Sequence, residues 1–175
     1  IGNAPDSPSE VYYWDQGKDL KKLTALNPWL ADRQLGQQEI VQFKARDGQM
    51  IEGLLVYPVN FAKGKHYPLV VTVHGGPESH YSDGWITRYS EPGQALAGKG
   101  YAVFYSNYRS STGYGLNFAW TGYNDAAGVE FDDIADGIQY LIKSGVADAE
   151  RVGLIGGSYG GFAAAWFSSY YTKMV

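Results

Sequence analysis

The sequence predicts an α/β protein, a mostly parallel sheet covered by helices, and three observations carry that reading. Residues 69–73 and 101–105, and residues 152–155 after Arg151, are apolar runs of strand length, the pattern of strands buried on both faces. Residues 131–143 repeat apolar side chains at intervals of three and four, the pattern of a one-sided helix. Directly after the third run, Gly156-Gly157-Ser158-Tyr159-Gly160 turns strand into helix. Strands and helices therefore alternate, as parallel neighbours require.

Taken in order, residues 10–14 read as a short aromatic strand, Asp15-Gln16-Gly17-Lys18 as a turn and residues 20–26 as the returning strand. An isolated hairpin is marginal in water, so this one belongs to a larger sheet. Asn27-Pro28 interrupts it, and a polar connector follows, placing a boundary across residues 28–37. Residues 40–43 and 51–57 flank Arg46-Asp47-Gly48, an Asp-Gly hairpin signal. After a loop and the strand at 69–73, residues 91–99 read as a helix started late by Pro92 and Gly93 and ended by Gly100. The helix over 131–143 turns Phe131, Ile134, Ala135, Ile138, Leu141 and Ile142 inward. Asp132, Asp133, Asp136 and Gln139 form a solvated face, and Lys143 and Gly145 close it. The strand at 151–155 and a helix over 161–171 complete the pattern.

Composition excludes several functions. With 45% hydrophobic and 18% charged residues the chain is an ordinary globular one, without the apolar run of about 20 residues that a spanning helix needs. Net charge is −4 and the basic residues are scattered, so neither nucleic acid nor an acidic membrane is an expected partner. Cysteine is absent, which excludes disulfides and thiolate chemistry and leaves the compartment open. The start at Ile1, without Met or a leader pattern, reads as internal or processed. No cofactor is implied. Residues 153–158 do not present G-x-G-x-x-G, and His74, His80, Glu78 and Asp83 match no metal-ligand spacing.

Ser158 is the candidate nucleophile. A strand before it, a helix after it and glycines two residues to either side are what a nucleophile elbow requires, because the serine backbone is strained and crowded there. The bland alternatives are a serine that caps the helix, or a phosphate cradle. A hydroxyl attacking a carbonyl creates an oxyanion that needs fixed donors. The N–H of Tyr159 comes with the elbow, and the N–H of Gly76, in His74-Gly75-Gly76-Pro77 after an earlier strand, is the second candidate. His74 orders this loop rather than taking the proton, and His66 and His80 lie in loops. An α/β-hydrolase places its acid and histidine after the serine, yet residues 159–175 contain no His, Asp or Glu.

These glycine motifs, together with Asn107-Tyr108-Arg109-Ser110-Ser111-Thr112-Gly113-Tyr114-Gly115, resemble the prolyl oligopeptidase family of serine peptidases, particularly its acylaminoacyl-peptidase and dipeptidyl-peptidase-like branch. Phe131-Asp132-Asp133 and Arg151-Val152-Gly153 agree with it, and the resemblance runs from about Gln38 to the C-terminus. Ser9 to Asp15 resembles the end of the family's β-propeller. The resemblance implies an α/β-hydrolase fold, with residues 1–27 as last propeller strands, 28–37 as linker and 38–175 as a catalytic domain incomplete at its C-terminus. It implies Ser158 as nucleophile, Tyr159 and Gly76 as oxyanion donors, and the Tyr159 ring beside the pocket for the residue before the cleaved bond. The partners it implies are a peptide substrate and a further C-terminal segment carrying the triad Asp and His, a homo-oligomer remaining open. Ser110 stands where the family usually has Gly, which matters if that position needs positive φ. Competing readings are an esterase of the same fold acting on small esters and a non-catalytic binding domain.

Overall fold

The computed structural model describes residues 1–175. Two small hairpins come first. β1 (Gly2–Ala4) pairs antiparallel with β2 (Ser7–Glu10), and β3 (Tyr12–Tyr13) with β4 (Lys21–Lys22). The predicted hairpin is thus present but reduced to two residues per strand, and the first pair, interrupted by Pro8, carries no alternation that pattern reading detects. A 3₁₀ turn over Pro28–Asp32 lies in the connector.

The main sheet has five strands: β5 (Gln38–Lys44), β6 (Met50–Val56), β7 (Tyr67–Val73), β8 (Ala102–Asn107) and β9 (Ala147–Gly156). Their spatial order is β5-β6-β8-β7-β9. β6 is antiparallel to both β5 and β8, while β7 is parallel to β8 and β9, so every strand except β6 runs the same way. The Asp47-Gly48 turn joins β5 to β6 with Gly48 at φ 91°, the conformation that residue was expected to supply.

Helices cover both faces: α1 (Gly93–Ala97), α2 (Leu116–Trp120), α3 (Val129–Lys143) and α4 (Tyr159–Tyr170). Strand alternation divides the core. Leu54, Val56, Val103 and Tyr105 meet Ala97 of α1 on one face. Leu55, Val71 and Phe104 meet Phe131, Ile134 and Ile138 of α3 and Phe167 of α4 on the other. Each such large apolar side chain contributes about 1.5–3 kcal/mol on burial, which is why α3 holds its orientation against the sheet.

Two expectations need correction. The run at 151–155 is not buried on both faces. Within these 175 residues β9 is the last strand of the order, and Val152, Leu154 and Ile155 are half-buried there while Gly153 is exposed. Nor do the acids of α3 form a solvated face. Asp133 is wholly buried and receives Arg109, through Nη2 to Oδ1 at 2.6 Å and through Nε and the backbone N–H to Oδ2 at 2.9 Å each. Asp132 and Asp136 are engaged by Arg46 at 2.7 and 2.9 Å. The reason is tertiary, since arginines from two other segments reach the helix surface. Arg109 also pairs with Asp47 of the hairpin turn.

Candidate active site

β7 and β9 end together. Their last ladder pair is Val73 with Gly156, so Gly75 and Ser158 each lie two residues beyond it. The two turns touch. A β-carbon on Gly75 would stand 3.0 Å from Ser158 Cβ and 3.6 Å from its Oγ. Ser158 is held at φ 55°, ψ −120°, an arrangement that costs about 1–3 kcal/mol for a residue with a side chain. Gly160 has no room for more than hydrogen, because a β-carbon there would collide with the carbonyl oxygen of Val73.

Ser158 is exposed and makes no side-chain cap to α4, so the capping alternative does not describe it. Tyr159, at the first position of α4, has an N–H without an intrahelical acceptor, as helix geometry dictates. The Gly76 N–H likewise has no acceptor in the chain. Two N–H groups without acceptors and a free hydroxyl therefore lie in two touching turns at the carboxyl ends of adjacent parallel strands.

The Asn107-Tyr108-Arg109 run, at the end of β8, supports this arrangement from beneath. Asn107 accepts from Tyr81 N–H at 2.8 Å and donates to Tyr81 O at 2.9 Å, clamping the segment that follows Gly76. The Tyr108 hydroxyl donates to His74 O at 2.7 Å, and its ring stacks on the imidazole at 4.4 Å. Arg109 secures α3, as described above. Ser110 has φ 81°, so the position where the family usually has Gly does carry a left-handed backbone.

His74 is buried between these groups. Nδ1 lies 3.1 Å from Gly75 O and Nε2 lies 2.9 Å from Ser111 Oγ, a pattern met by the neutral ring with its proton on Nδ1. Because the peptide is planar, fixing the Gly75 carbonyl also fixes the opposed N–H of Gly76. His80 is elsewhere, its Nδ1 on Thr112 Oγ1 at 2.9 Å.

Burial lowers the His74 pKa to about 4 from an ordinary 6.5. The folded-state value is depressed, so the unfolded chain binds the proton more readily. Stability is full above about pH 6.5, falls by roughly 3 kcal/mol as pH drops to about 4, and levels off below that. Urea unfolding across this range should reveal the slope, and His74→Gln should flatten it. An unchanged slope in that variant would assign the effect to other groups.

One contributor had no local sequence signal. Glu130, 1% exposed, accepts from Tyr159 OH at 2.7 Å and from Ala127 N–H at 2.6 Å, both at Oε1. Burial and this carboxyl hold the Tyr159 phenol well above its usual range. Oε2 has no partner, an omission that costs about 1–3 kcal/mol. Beside Tyr159 opens a cleft of about 830 Å³, lined among others by Pro77, Glu78, Trp120, Tyr123 and Asp125. The loop that contributes residues 122–126 to its lining holds Asn124 at positive φ. The missed helix α2, which lacks a capping side chain, supplies Trp120.

Residues 87–173 match the model of the prolyl oligopeptidase family. The chain is 37% identical over 164 residues to the uncharacterized peptidase YuxL of Bacillus subtilis strain 168, covering 93% of this chain and 24% of that protein. It is 35% identical over 168 residues to dipeptidyl aminopeptidase BIII of Pseudoxanthomonas mexicana, covering 92% and 24%. It superposes on Pyrococcus horikoshii acylaminoacyl peptidase with a TM-score of 0.80 at 31% identity, covering 94% of this chain and 26% of the other. The chain spans about a quarter of the length of the curated relatives it matches.

Proposed function

As the chain belongs to the prolyl oligopeptidase family, we propose that it supplies the nucleophile and oxyanion donors of a serine peptidase acting on oligopeptides. The observation that supports this reading is the strained Ser158, its hydroxyl unpartnered, in a turn that touches the Gly75 turn, with the N–H groups of Tyr159 and Gly76 both lacking acceptors. Ser158 Oγ attacks the scissile carbonyl, and the resulting oxyanion lies between the two donors. The leaving amine departs to give an acyl-enzyme, which water hydrolyses. Residues 38–175 then form part of an α/β-hydrolase catalytic domain, residues 28–37 a linker and residues 1–27 strands of a propeller.

In this reading the general base is supplied by chain outside these 175 residues. His74 is engaged by Gly75 and Ser111, His80 by Thr112, and no imidazole or carboxylate hydrogen-bonds to Ser158. The family resemblance assigns that role to a histidine oriented by an aspartate further along the protein. A fluorophosphonate probe tests both parts. It should label Ser158 in the complete gene product and hardly react with the 175-residue chain. Strong labelling of the short chain would overturn the external base, and no labelling of either would overturn the nucleophile.

A further inference from the structure

The cleft beside Tyr159 is walled chiefly by rings and carboxylates. Trp120, Tyr123 and Tyr159 present rings, Glu78 and Asp125 present carboxylates, and no Lys or Arg lines it. Behind the wall stands Glu130, buried, with Oε2 unpartnered. That oxygen is turned toward Gly122, a wall residue on which a β-carbon would lie 3.6 Å away. Gly122 and the Ser110 hydroxyl, both of the cleft wall, stand next to the buried carboxyl. The same β-carbon would press on Ser110 Oγ at 2.5 Å, so the wall stays thin. Ring faces attract cations through their quadrupoles, and carboxylates do so by charge, least screened where water is displaced.

We propose that this cleft receives the cationic side chain of a peptide substrate, lysine or arginine, at the residue preceding the scissile bond, an assignment that rests on Ser158 being the nucleophile. The position follows from the lining. Tyr159 carries one oxyanion donor and Pro77 directly follows the other, so the cleft opens from the place where the attacked carbonyl sits. Its volume of about 830 Å³ admits an extended lysine or arginine. The α-ammonium of a free N-terminus offers the same chemistry, and blocked substrates separate the two sources.

The test uses the complete gene product with aminomethylcoumarin amides of N-blocked lysine, N-blocked norleucine and unblocked norleucine. Blocked lysine should exceed blocked norleucine in kcat/KM by roughly 10- to 100-fold, the scale set by pocket contacts of this kind. Asp125→Asn and Glu78→Gln, both at exposed positions, should each lower that ratio, chiefly by raising KM for lysine. Two variants guard against misfolding of one. Equal use of lysine and norleucine, or a ratio unmoved in both variants, would overturn the proposal. Preference for unblocked norleucine over blocked lysine would assign the cleft to the α-ammonium and overturn the side-chain assignment. If no substrate is cleaved and Ser158 is not labelled, the nucleophile reading has failed and takes this one with it. Cleavage without charge preference sinks this one alone.

Discussion

In the complete protein, Ser158→Ala should lower peptide hydrolysis by at least about 10⁴-fold while KM changes little, because the attacking oxygen makes its contribution only in the reaction. The variant is clean for a structural reason. The side chain makes no hydrogen bond and is exposed, and the backbone at φ 55° is equally strained with alanine. Stability should therefore stay within about 0.5 kcal/mol of the parent. Steady-state kinetics with a blocked peptide amide, run beside a urea titration, measures both quantities. Activity within tenfold of the parent would mean that some other group attacks. The residual rate should come from substrate binding and the two N–H donors, which the substitution leaves in place.

The second large effect concerns stability. Arg109→Leu should cost about 3–5 kcal/mol, since it leaves the wholly buried Asp133 with no counter-charge and with only the backbone N–H as donor. Asp47, at the other end of Arg109, keeps a side chain 47% exposed, so Asp47→Asn should cost under about 1 kcal/mol. Pairing Arg109→Leu with Asp133→Leu should recover part of the loss, because both buried charges are then gone. Unfolding midpoints of the four proteins decide the matter. A single Arg109→Leu as stable as the parent would mean that water reaches Asp133.

Sequence legibility followed the range of the forces involved. The elbow was readable because its demands are local: Ser158 must adopt a strained backbone, and Gly160 must clear Val73. The β5–β6 turn was readable from Asp47-Gly48, and α3 from its periodicity, to within two residues at its start. What escaped depends on distant partners. Asp133 looks solvated on a helical wheel until Arg109 arrives from the end of β8. Glu130 sits next to the predicted start of α3, and nothing near it in sequence indicates that Tyr159 donates to it. The Asn107-Tyr108-Arg109 run was visible as a family signature, yet its three separate tasks appear only when Tyr81, His74 and Asp133 are in place.

The shared ending of β7 and β9 has a consequence in time. Gly75 and Ser158 are adjacent because the final pair of the ladder joins Val73 to Gly156, across a sequence span that includes all of β8 and α3. A slip of one residue in that pairing would displace one turn from the other by about 3.3 Å and reverse the facing of every side chain in the strand. Such long-range pairing bears a large loop-closure cost and is among the slower events in folding. The hairpin of β5 and β6 and the helix α3 can form from nearby residues, whereas the active centre has no partial form. The meeting of the two turns is thus an all-or-none readout of the β7–β9 register, and a nascent chain lacks it until β9 has docked.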